Sequence, residues 1–207
     1  LPANTTGDAN TGIGINALYA NTTADNNTAL GRSSLESNTT GASNTALGKD
    51  ALQANTTASN NTAVGALALE ANTTGAANTA VGATALDAAT TANYNVGIGY
   101  AALTATTTGA DNTAVGSGAL EGNTTASNNT AVGRAALQAN TTATENTAVG
   151  YNALKDNTTG HSNVSVGSDT LANNTTANHN TAVGREAMVT NTTGTQSVAV
   201  GEQALYL

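Results

Sequence analysis

The aliphatic residues of this chain fall at two fixed places in a period of seventeen, and Asn, Thr, Gly and Ala fill the spaces between them. Numbered from Asn4, the unit reads N-T-T-[G/A]-x-x-N-T-A-V-G-x-x-A-L-x-x. The tenth position is Ile, Leu or Val in all twelve copies, from Ile13 to Val200, and the fifteenth is Leu except at Met188. Three leading residues and twelve unbroken units account for all 207. Residues 4–207 therefore read as one repeat domain, and residues 1–3 as the end of a preceding segment. A fixed period of this length marks stacked structural repeats.

The local pattern predicts short strands. Thr or Val at position eight and an aliphatic residue at position ten stand two apart and share one face, with the small ninth residue on the other. The larger pair is expected to point inward. A glycine follows in every copy: Gly14, Gly31, Gly48, Gly65, Gly82, Gly99, Gly116, Gly133, Gly150, Gly167, Gly184 and Gly201. These glycines read as a structural corner that needs positive φ or close backbone approach. Ala-Leu then reads as a second short strand, and the Gly or Ala at position four as the second corner. The expected fold is all-β: a parallel β-solenoid or β-roll of twelve coils, two short strands per coil, on the order of 60 Å long. A helical repeat is disfavoured, because Thr, Asn and Gly are poor helix formers and seventeen residues cannot hold a helix pair.

Composition sharpens this picture. Aromatics are 2% of residues and charged residues 9%, so the chain has neither the large side chains of an ordinary core nor the charge density of a disordered one. With few sizeable apolar groups per coil, bonds between coils and ladders of stacked side chains must contribute. The Asn rank at position seven, from Asn10 onward and broken by Ser197, suits such a ladder. So thin a core suggests a further partner, either another chain or attached sugar. The charged and unusual residues (Arg32, Lys49, Tyr94, Glu145, His161) collect at variable positions and are expected to face solvent.

The net charge of −8 and five scattered basic residues argue against nucleic acid as a partner. The chain has no Cys, and no apolar run approaches the ~20 residues that span a bilayer. Catalysis finds no footing: His161 and His179 read as surface residues rather than ligands, and no nucleophile–base pair or phosphate loop assembles. The Asp residues fall at several unit positions, against a repeated calcium site. No cofactor or metal is expected.

Two other chemistries attach to threonine and asparagine. The Asn-Thr-Thr blocks spell glycosylation sequons at Asn4, Asn21, Asn38, Asn55, Asn72, Asn123, Asn140, Asn157, Asn174 and Asn191. The competing reading makes these Asn and Thr turn and ladder residues that spell a sequon by accident. Ala89 and Thr106 replace the Asn while both Thr persist in every unit, which favours the ladder. Ranks of Thr also suggest an ice-binding solenoid, although adjacent Thr5 and Thr6 point to opposite faces and cannot supply two ranks together.

Ser197-Val198-Ala199-Val200-Gly201 resembles the S-V-A-I-G repeats of trimeric autotransporter adhesin heads (YadA-like), and Asn95–Gly99 and Asn163–Gly167 are variants of it. The N-T-A-V-G-x-x-A-L units also resemble repeats of phage-type tail-fibre proteins. The resemblance implies a left-handed parallel β-roll assembled as a homotrimer, with the ninth-position alanines (Ala29, Ala46, Ala63, Ala80) as the close-contact face between subunits. Adhesin heads use a shorter repeat without the Asn-Thr-Thr block, which leaves a single-chain solenoid or a filament open as well. The expected function is a non-enzymatic extracellular rod on a cell surface, in a secreted fibril or in a virion tail. It would self-associate as a homotrimer or filament and meet glycans or a host receptor. A glycosylated sheath fibril and an ice-binding solenoid are the alternatives.

Overall fold

A computed structural model describes residues 1–206; Leu207, the last residue of the twelfth unit, lies outside the described residues. Each unit contributes one strand of three residues: β1 Thr11–Ile13, β2 Thr28–Leu30, β3 Thr45–Leu47, β4 Thr62–Val64, β5 Thr79–Val81, β6 Val96–Ile98, β7 Thr113–Val115, β8 Thr130–Val132, β9 Thr147–Val149, β10 Val164–Val166, β11 Thr181–Val183 and β12 Val198–Val200. They form one parallel sheet in chain order, and every residue pairs with the one seventeen places on, as Thr45 does with Thr62. The chain is thus a β-solenoid, and equivalent residues stack in straight ranks. Eleven inter-strand steps of ~4.8 Å make the sheet about 50 Å long.

The expected second strand is absent from the described coils. Positions eleven to sixteen instead run through overlapping turns: Ala17 N donates to Gly14 O, Tyr19 N to Asn16 O and Asn21 N to Leu18 O. The third residue of the first two turns carries positive φ, +60° at Asn16 and +50° at Leu18, which is the type II pattern. Leucine there is unusual, because a left-handed backbone costs a non-glycine residue ~1–2 kcal/mol. It recurs in every coil with φ between +50° and +56° at the fifteenth-position leucines. Two gains offset the strain. The leucine side chain is fully buried, worth roughly 2–3 kcal/mol. Its N–H also donates to the next coil, as Leu18 N does to Ser34 O at 3.0 Å.

The strands face the opposite way from the expectation. Ala131 is fully buried whereas Val132, beside it, is 37% exposed. The ninth-position alanines Ala29, Ala46, Ala63 and Ala80 therefore lie inside the coil and cannot touch another subunit. Thr at position eight and Val at position ten point outward. Volume decides this. A coil of seventeen residues encloses one leucine, two asparagines, the alanines of positions nine and fourteen and the Gly or Ala of position four, and has no space for two further β-branched groups. At Gly97 a Cβ would stand 3.3 Å from Leu86 Cδ1 and 3.3 Å from the Ala102 carbonyl, so a methyl just fits on the leucine below it.

Candidate functional site

Outside the coil, the sheet presents two straight ranks. One is Thr, with Val96, Val164 and Val198 in place of Thr; the other is entirely Ile, Leu or Val. Neither contains a charge. Strand pairing in strict register keeps the face regular, and adjacent ranks two residues apart are separated by ~7 Å. The face measures about 50 Å by about 10 Å, on the order of 500 Å². Its aliphatic rank, flanked by the threonines, makes a continuous uncharged stripe of the kind that marks interaction surfaces.

The predicted glycosylation sites lie elsewhere. Asn21, Asn38, Asn55, Asn72, Asn123, Asn140, Asn157 and Asn174 are fully buried, and only Asn4 and Asn191 in the end units are partly open. Each buried amide is engaged twice. Asn55 Nδ2 donates to Asn38 Oδ1 at 2.8 Å and to Ala58 O at 3.0 Å, and the pattern repeats in Asn38 and Asn72. A sugar cannot be attached to such an amide while the coil is closed, so the sequon at these eight positions is a ladder. The seventh-position Asn form a second ladder with different geometry. Asn44 N donates to Asn27 Oδ1 at 2.9 Å, and Asn44 Nδ2 donates to Ala58 O at 2.9 Å.

The two threonines of the block part company. The first caps the next coil, with Thr56 Oγ1 donating to Thr73 O at 3.1 Å. The second, from Thr6 through Thr91 to Thr193, is exposed in all twelve units. Every other exposed variable position changes freely along the chain, yet this one does not. It forms a column of surface hydroxyls along the rod.

The twelve predicted corner glycines stack with φ between +125° and +141°. Their column is crowded: a Cβ on Gly116 would collide with the carbonyl of Gly133. Beyond it, the variable positions carry short polar links between coils. Gln53 Nε2 donates to Glu36 Oε2 at 2.9 Å, and Gln138 to Glu121 at 2.7 Å. The Gln53 amide chiefly holds the Glu36 carboxyl below its ordinary range, with desolvation working against it. Gln203, helped by Arg185, does the same for Glu186. Lys49 and Arg32 both reach the buried Asp50.

One shallow depression of about 180 Å³ opens where Gly118 takes the thirteenth position. Tyr100 and Tyr151 flank it, Glu121 and Gln138 line its floor, and Arg134 packs 5.7 Å from the Tyr151 ring centre. The sequence held a signal for it, since Tyr100, Arg134 and Tyr151 share unit position twelve and must stack. As expected for surface residues, His161 and His179 are exposed. Among the described residues no three His, Cys, Asp or Glu gather around a common point, and no helix is long and apolar enough to cross a membrane. Compared with protein-family models, curated proteins and solved structures, the chain matches none.

Proposed function

We propose that this chain is a segment of a stiff, non-enzymatic extracellular fibre that assembles with further copies of itself through the outer face of its sheet. The observation that carries the reading is the open face itself. Twelve aliphatic side chains and their Thr or Val neighbours lie exposed or half-buried on it and carry no charge, while the coil interior is already filled. Burying such a face between copies gives the apolar contact that the thin interior lacks, and three faces together, about 1,500 Å², reach the area of a stable interface. The resemblance to trimeric adhesin heads and tail-fibre repeats supports self-assembly as such, while the alanine face it implied for contact lies inside the coil. A rod that repeats one surface every ~4.8 Å also multiplies weak contacts to a receptor through avidity.

Sedimentation and light scattering test it. The native chain should sediment as a trimer or filament, and Val115→Lys combined with Val132→Lys should return it to a monomer with unchanged circular dichroism. A native chain that stays monomeric at high concentration would sink the proposal.

A second reading rests on the same face. Two regular, uncharged ranks of hydroxyl and methyl groups are what an ice-binding surface requires, and positions eight and ten supply the pair that Thr5 and Thr6 could not. That reading needs the face free, so it predicts a monomer with thermal hysteresis. Sugar, in a glycosylated fibril, would fall on the exposed third-position Thr column and raise the mass above 20.1 kDa.

A further inference from the structure

The only two histidines of the chain occupy unit positions five and six of successive coils, eighteen residues apart. The coil register brings them together. His179 N donates to His161 O at 3.2 Å, and the two rings meet edge to face with centres 5.0 Å apart. A relay stands behind one of them. Ser162 Oγ donates to Glu145 Oε2 at 3.1 Å, and lies 3.3 Å from His161 Nδ1. A hydroxyl that has given its proton to a carboxylate can only accept at its oxygen. His161 Nδ1 must therefore carry the proton, which leaves the lone pair on Nε2.

This is the arrangement that prepares an imidazole to ligate a metal: one nitrogen anchored through a hydrogen bond toward a carboxylate, the other unprotonated. The spacing also fits. A metal ~2.1 Å from one nitrogen of each ring stands ~3.2 Å from each ring centre. Two such rings at an angle near tetrahedral have centres about 5 Å apart. The edge-to-face packing does not yet aim both nitrogens at one point, but among the described residues His179 makes no ring hydrogen bond, so its ring turns to do so at little cost. Glu145 adds negative charge beside it. We propose that His161 and His179 form a surface site for a divalent cation that prefers imidazole, of the Zn²⁺, Ni²⁺ or Cu²⁺ kind. Two protein nitrogens hold the ion, water completes its coordination, and Ser162 and Glu145 set the tautomer of His161.

Calorimetric titration of the full chain, produced without a histidine tag, with zinc chloride in excess magnesium tests the site. Magnesium occupies scattered carboxylates without competing for imidazole. The expected result is one zinc per chain with affinity in the micromolar range. His161→Ala and His179→Ala should each weaken it by roughly tenfold or more, and Ser162→Ala by a smaller factor. Both histidines are exposed and Ser162 half-buried, so circular dichroism and melting of the variants should match the native chain closely. Absence of zinc binding by the native chain, or binding by either histidine variant as tight as the native chain's, would overturn the assignment.

Discussion

Asn72 shows how strictly the interior is accounted for. Its Oδ1 is buried without a hydrogen-bond partner, because the next unit carries Ala89 where the ladder needs an amide donor. The ladder resumes imperfectly at Thr106, whose hydroxyl turns to Asn123 O. Replacing both, Ala89→Asn with Thr106→Asn, should complete the ladder and raise stability by about 1–2 kcal/mol, read from chemical unfolding. Asn55→Ala should do the reverse by roughly 2–3 kcal/mol, since it strands Asn38 Oδ1. The glycines separate by the same reasoning. Gly116→Val combines φ of +140° with a backbone collision and should cost more than about 3 kcal/mol. Gly118→Ala has φ of +67° and meets only the flexible ends of Glu121 and Gln138, so its cost should stay at about 1 kcal/mol. Equal effects would mean that the corner is not held by contact between coils.

Strand and turn in each coil divide the labour in a way that mutation can separate. The turn delivers the leucine that fills the coil, and the strand delivers only an alanine to meet it. Leu103→Ala should therefore destabilise by about 2–5 kcal/mol, as full-sized core truncations do. Val115→Ala, on the outer face of β7, should cost the isolated rod well under 1 kcal/mol while weakening its self-association. Thermal melts at low concentration and sedimentation at high concentration read the two effects apart. If Val115→Ala unfolds the dilute monomer as severely as Leu103→Ala, the assignment of inner and outer faces is wrong.

Along the whole rod, each coil touches only its two neighbours, so stability accumulates coil by coil rather than through one shared core. Charge acts over the same length. At −8 the rods repel one another, whereas the face we assign to assembly is uncharged. Raising ionic strength should therefore strengthen association by screening the repulsion, and sulfate should do so further by favouring apolar burial. Association that dissolves in high salt would instead point to ion pairs between the variable positions.

The period, the parallel stacking, the single β class and the glycine corner were legible from residue spacing alone, because a strict repeat leaves stacked coils as the way to satisfy every unit at once. The tendency of Asn to ladder was legible too, from the Thr of the block persisting where Asn did not. Which side of the strand faces inward was not. Alternation says that Thr and Val oppose Ala, but the interior volume of a seventeen-residue coil decides which set fits, and that depends on the leucine arriving from the turn. The turn itself was hidden for a related reason. Leucine carries no preference for positive φ, and only its burial across the coil and its bond to the next one hold it there. The meeting of His161 with His179 belongs to the same class, since eighteen residues become one contact only when the coils close in register.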